Sequence, residues 1–177
     1  MLENKVYERR KEAPAAEVVP VSVLLSLYAL EKPQYLRESL ASILEQTAMP
    51  QEVVMVLDGP VGEDLLGVVD EFSRSEGGVP QFHVVKLEKN VGLGRALCEG
   101  LRHCSNEFVA RMDTDDVMMP QRICKQYQYM VSRPEIAVCG AWIDEFMAGE
   151  DGSRQVVSTR RLPVEHEDIL KFGKGRN

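Results

Sequence analysis

Residues 19–28, VPVSVLLSLY, form an apolar, β-branched run, the mark of a strand covered on both faces. Pro33 follows and the spacing changes at once. Leu36, Leu40, Ile43 and Leu44 recur on one helical face, and proline suits a first helical turn, where its missing N–H is no loss. The alternation then repeats. EVVMVLDGP (52–60) predicts a second buried strand, stopped by the turn signal Gly59-Pro60. Leu65, Leu66, Val69 and Phe72 predict a second amphipathic helix, closed by Gly77-Gly78. FHVVKL (82–87) reads as a third strand, and NVGLGRALCEGLRHC (90–104) as a loop and then a helix with Leu93, Ala96, Leu97 and Leu101 inward. FVARM (108–112) is a fourth strand. Pro120 opens another helix with Ile123, Tyr127 and Met130 on one face, IAVCGAW (136–142) suggests a fifth strand, and QVVST (155–159) a short further one.

Such strand–helix alternation predicts an α/β protein, a three-layer Rossmann-like sandwich whose central sheet is mostly parallel. Residues 1–19 are polar, with Pro14 among alanines, and read as a flexible lead-in to one domain over 20–177. In parallel sheets ligands lie beyond the carboxyl ends of the strands. Three distinctive spots fall there: Ser26-Leu27-Tyr28, Asp58, and Asp113-Thr114-Asp115-Asp116.

Charge makes the last of these a question. The 177-residue chain has formal net charge -7, so three acids within four positions need relief. If the strand persists, Asp113 and Asp115 point to one side and Thr114 to the other. Two hard carboxylates at that spacing suit Mg²⁺ or Mn²⁺, which also take water and phosphate oxygens. The plain alternative is a polar turn with Asp116 capping the next helix. The acidic balance, 21 basic against 28 acidic residues, argues against a sequence-blind grip on nucleic acid. The cysteines at 98, 104, 124 and 139 form no CxxC pair, and the three histidines are scattered, which gives zinc little support. No apolar stretch is long enough to predict a membrane span. Together these predict a cytoplasmic protein, with peripheral association at the inner face of a membrane left open.

Asp58 ends its strand as an acceptor for a base N–H or ribose hydroxyl, or as a cap of the following turn. The Asn90-Val91-Gly92-Leu93-Gly94 loop permits close backbone approach to a ligand, or simply a tight strand-to-helix turn. Arg95 and Arg111 are cations suited to phosphate charge, or solvated side chains.

Taken together, VSVLLSLY, LRESLASILEQT, VVMVLDG, KNVGLGRALCEGL and EFVARMDTDDVMMPQRI resemble, in order and spacing, the nucleotide-sugar half of a family 2 glycosyltransferase of GT-A fold. The resemblance covers roughly residues 20–145. It implies an inverting, metal-dependent sugar transfer from a nucleotide-sugar, UDP-linked by family habit, to a glycan or lipid-linked acceptor in cell-surface polysaccharide biosynthesis. It implies that Tyr28, Glu31 and Asp58 hold the nucleoside. Asp113 would face the ribose or sugar, and Asp115 would ligate Mn²⁺ or Mg²⁺ with Asp113 as a second candidate. Asn90, Gly94, Arg95 and Arg111 would line the sugar-donor side. Two departures stand out: LLSLY lacks the proline usual near Leu25-Ser26, and no residue matches the family's general base, Asp144 and Glu145 coming too early. The acceptor half therefore reads as incomplete, the chain as truncated at its C-terminus, and transfer by this chain alone as doubtful. Two rivals remain. DTDDV also fits the signature of haloacid-dehalogenase-like phosphohydrolases, with Asp113 as nucleophile and Asp115 as general acid, and a non-catalytic nucleotide-binding module would keep the same fold.

Overall fold

The computed structural model describes residues 16–74, 79–149 and 153–174. The chain divides into two compact units, Met1–Arg133 and Pro134–Asn177. In the first, four strands lie in the order β3-β2-β1-β4, all parallel: β1 (Glu17–Leu27), β2 (Ala48–Leu57), β3 (Gln81–Lys86) and β4 (Phe108–Arg111). The helices between and after them are α1 (Pro33–Leu44), α2 (Glu63–Ser73), α3 (Leu93–Leu101) and α4 (Arg122–Val131). This is the expected GT-A-like arrangement of a parallel sheet between helical layers.

The period of two decides the layers. Val19, Val21, Val23, Leu25 and Leu27 of β1 join Val53, Met55 and Leu57 of β2 on one face, where Leu36, Leu40 and Ile43 of α1, Leu65, Val69 and Phe72 of α2 and Ile123 of α4 pack onto them. Leu24, Val54 and Val56 point the other way, to α3 and its Ala96. Leu25, Val53, Met55, Leu36 and Leu40 are among the side chains closed to solvent, each contributing about 1.5–3 kcal/mol. Both faces being covered, the strands read as continuous apolar runs rather than alternations.

Differences from the sequence reading follow from packing. α3 turns Ala96 and Gly100 inward, while Leu93 and Leu101 are about half exposed. The reason is proximity: a Cβ at Gly100 would lie 2.5 Å from Leu24 Cδ1 and 2.6 Å from Val56 Cγ2, so no side chain fits at that position, while Leu97 packs beside it against the same cluster. α4 starts at Arg122, not Pro120. IAVCGAW is not a strand. β5 begins one residue later (Ile143–Ala148) and pairs antiparallel with β6 (Arg154–Arg160) in the second unit, which also carries α5 (His166–Lys174). The helix stop at Gly77-Gly78 lies outside the described residues, and β1 already starts at Glu17.

Candidate functional site

β1 lies between β2 and β4, and the connections that lead to these two neighbours cross opposite faces of the sheet. α1 carries the chain over one face on the way to β2, and α3 carries it over the other on the way to β4. The crevice at the carboxyl ends of β1 and β4 is therefore the topological switch point of this sheet, where open α/β sheets hold ligands. Tyr28 follows β1 there, about half exposed, and the chain runs on from β4 through Met112, whose N–H bonds Leu24 O at 3.0 Å, into the acids.

The acidic segment is a turn, not a continued strand. β4 ends at Arg111, and the Asp116 N–H reaches Asp113 O at 3.3 Å. Thr114 is buried (3% exposed) and its hydroxyl donates to Glu31 Oε2 at 2.7 Å. Asp113 is half-buried and takes the Arg111 guanidinium on Oδ1, while Asp115 and Asp116 are exposed. Although the residue is exposed overall, partial desolvation of its carboxyl raises the pKa of Asp116, and the charges of Asp113 and Asp115 add to the effect against the opposing pull of Arg111 and Arg122. Asp116 does not cap α4, whose N-cap is Gln121 without a side-chain bond.

This donor set suits a hard divalent cation. Asp115 is an open carboxylate, Asp113 would have to share its oxygens with Arg111, and the negative charge of the turn outweighs the cations beside it. No group of three potential ligands gathers among the described residues, so water and phosphate oxygens would have to complete the coordination.

Other expected contributors are placed differently. Both carboxylate oxygens of Asp58, itself 3% exposed, accept backbone N–H groups from the loop before α3: Val91 on Oδ1 at 2.7 Å and Gly92 on Oδ2 at 3.0 Å. Asp58 thus joins the ends of β2 and β3 as a loop anchor. Asn90 turns its Oδ1 onto the Gly92 N–H at 3.1 Å. Gly92 holds φ +86, a region open to glycine, which gives the loop its entry into α3. Gly94 lies in the first turn of α3, and Arg95 lines a shallow groove along that helix with Leu87, Val91, Cys98, Glu99 and Arg102. Asp144 and Glu145 are on β5 of the second unit, bonded to Thr159 and Arg160.

Sequence reasoning missed the polar side of α1. Ser39, Ser42 and Gln46 look like solvent positions yet are buried. Ser39 Oγ donates to Asp113 O at 3.3 Å, and Ser42 Oγ accepts the Met118 N–H at 2.9 Å. Gln46 donates to Met119 O and accepts from Ile123 N–H, each at 3.0 Å. Their spacing of three and four residues was the available signal, a second stripe beside the apolar one.

The model of glycosyl transferase family 2 matches residues 22–174. The chain belongs to that family. It is 43% identical over 156 residues to the amylovoran biosynthesis glycosyltransferase AmsE of Erwinia amylovora, covering 88% of this chain and 55% of that protein. It is 34% identical over 158 residues to an Escherichia coli UDP-Gal:alpha-D-GlcNAc-diphosphoundecaprenol beta-1,3-galactosyltransferase, covering 88% and 54%. The chain thus spans about half the length of these curated relatives. Among solved structures it resembles S. aureus TarS 1-349 in complex with UDP-GlcNAc, with TM-score 0.56 and 25% identity over 66% of this chain and 32% of that one. Membership removes the phosphohydrolase reading: the acidic motif here ends β4 of a family 2 sheet, not a first strand.

Proposed function

We infer that this chain is the nucleotide-sugar-binding part of an inverting, metal-dependent glycosyltransferase that takes a UDP-linked sugar. The observation that carries the reading is the acidic turn 113–116 at the switch point beside Tyr28. UDP is favoured because the E. coli relative is named for UDP-Gal and TarS was solved with UDP-GlcNAc. Tyr28 would pack on the nucleoside, with the Asp58-anchored loop as the floor of that side. Asp115, with Asp113, would hold Mn²⁺ or Mg²⁺ against the diphosphate, where the cation supplies electrostatic stabilisation of the departing UDP. Arg111, held by Asp113 until a cation competes, adds positive charge. No side chain here is assigned as the general base for the acceptor hydroxyl, which is a glycan or lipid-linked alcohol in this reading.

Calorimetric titration of UDP with Mn²⁺, repeated in EDTA and with Asp115→Ala, tests the assignment. Binding is expected to need both the metal and Asp115. Equal affinity in EDTA, or an unchanged Asp115→Ala variant, would remove the metal role. Tighter binding of GDP or TDP would move the nucleotide assignment.

A further inference from the structure

Glu31 was expected to touch the nucleoside, but its carboxylate is already engaged within the protein. Oε1 accepts the N–H of Lys32 at 2.8 Å, and Oε2 accepts the Thr114 hydroxyl at 2.7 Å. Glu31 sits in the turn that leaves β1, closed by its own N–H onto Tyr28 O at 3.2 Å. Thr114 is the middle residue of the acidic triplet and 3% exposed. One hydrogen bond to a charged group therefore joins the two loops that form opposite walls of the switch-point crevice, 83 residues apart in the chain.

We propose that Glu31 and Thr114 form a latch, and that Glu31 is a positioning residue which orients Asp113 and Asp115 through Thr114. Thr114, drawn inward, leaves its neighbours Asp113 half-buried and Asp115 exposed. At this end the main chain is otherwise held by long bonds, from Ser39 Oγ and the Asp116 N–H to Asp113 O, both 3.3 Å, while the Arg111 guanidinium holds the Asp113 side chain. The tighter bonds of Ser42 and Gln46 hold the segment further on, at Met118, Met119 and Ile123. Without the latch, the main chain of the acidic turn keeps those two long bonds and the Asp113 side chain keeps Arg111, while Asp115 has no such tether among the described residues and the carboxylates repel each other. The latch also couples the walls: a nucleoside that orders the turn after Tyr28 would order the metal-binding carboxylates with it. The role as stated rests on the UDP and metal reading above.

The test is calorimetry of UDP with Mn²⁺ and in EDTA on Thr114→Val, Glu31→Leu and the double variant, with Thr114→Ser and Glu31→Gln as conservative controls. In parallel, amide exchange of residues 113–116 is followed without ligand. Valine matches threonine in shape and lacks the hydroxyl; serine keeps the hydroxyl, and glutamine keeps one accepting oxygen without the charge. Each disrupting variant is expected to weaken Mn²⁺-dependent UDP binding about tenfold, the worth of one hydrogen bond to a charged group. The double variant is expected to lose no more than the singles, serine to recover most of the affinity, and glutamine, which is neutral, only part of it. Exchange in the turn should quicken equally in both single variants. Losses that multiply in the double variant, or a serine that fails to restore binding, would overturn the latch. If the wild-type chain binds no UDP, the functional reading fails separately, and exchange decides the latch: acceleration common to both singles and the double supports it, and unchanged exchange overturns it.

Discussion

Replacing Asp58 by asparagine tests whether this acid is a loop anchor. The side chain is 3% exposed, and each carboxylate oxygen takes one backbone N–H, from Val91 at 2.7 Å and from Gly92 at 3.0 Å. Asparagine is the same size but offers one oxygen and one NH₂. The oxygen can keep one bond without its charge; the NH₂ then faces the other N–H, which is left unpaired if it is that of Val91 and keeps only Asn90 Oδ1 if it is that of Gly92. Hydrogen bonds to charged groups contribute about 1.5–3 kcal/mol each, and an unsatisfied buried donor costs about 1–3 kcal/mol. The expected loss is roughly 2–4 kcal/mol, a fall of about 1–2 M in the urea midpoint at an ordinary denaturant slope. Detachment of the 88–92 loop alone would cap the global loss, so amide exchange at Val91 and Gly92 is measured beside the midpoint. One of the two must change. An unaltered midpoint together with unaltered protection of both amides would refute the anchoring role.

The glycines at the same strand ends separate conformation from crowding. Gly59 (φ +89) would place a Cβ 2.5 Å from Asn90 N, whereas Gly92 (φ +86) has open space around it. Alanine at 92 should therefore cost about 1–3 kcal/mol in backbone strain alone, and alanine at 59 clearly more; equal urea midpoints would refute the close approach. At the opposite end of the sheet, buried Glu52 accepts from Ser22 Oγ at 2.5 Å and the Ser105 N–H at 2.6 Å, with His83 at 3.5 Å. Burial pushes its pKa up, but the bonds from Ser22 and Ser105 and the charge of His83 outweigh that and hold it below the usual glutamate value. A depressed folded pKa means stability that is complete above the unfolded value and lost as the pH falls through the folded one. The stability gap between wild type and Glu52→Gln should thus narrow on acidification from about pH 7 to about pH 3, and a gap that stays constant in urea titrations would contradict the network.

Much of the fold is written in local periodicity. The short, β-branched runs through Val23–Leu27 and Val53–Leu57, bounded by turn residues, read as strands buried on two faces, and the spacing of Leu36, Leu40 and Ile43 sets them on one helical face toward a core. Those patterns also determine that chain reversals, and with them Tyr28, Asp58 and the acids at 113–116, fall at the carboxyl ends of strands. Sequence order alone brought the matching motifs into view, because each is contiguous. The tertiary structure decided what contiguity cannot express. It placed β4 beside β1, so that residues near 28 and near 113 share one crevice. It broke the strand at Arg111 and turned the chain, yet kept Thr114 inward and Asp115 outward, the sides that alternation gives them, with Asp113 left half-buried. It also gave Asp58, Glu31, Ser39, Ser42 and Gln46 partners 33 to 83 residues away. A hydrogen bond needs the right distance and angle, not a sequence spacing, and polar residues become unable to reach water only once the whole sheet and its helices have assembled around them.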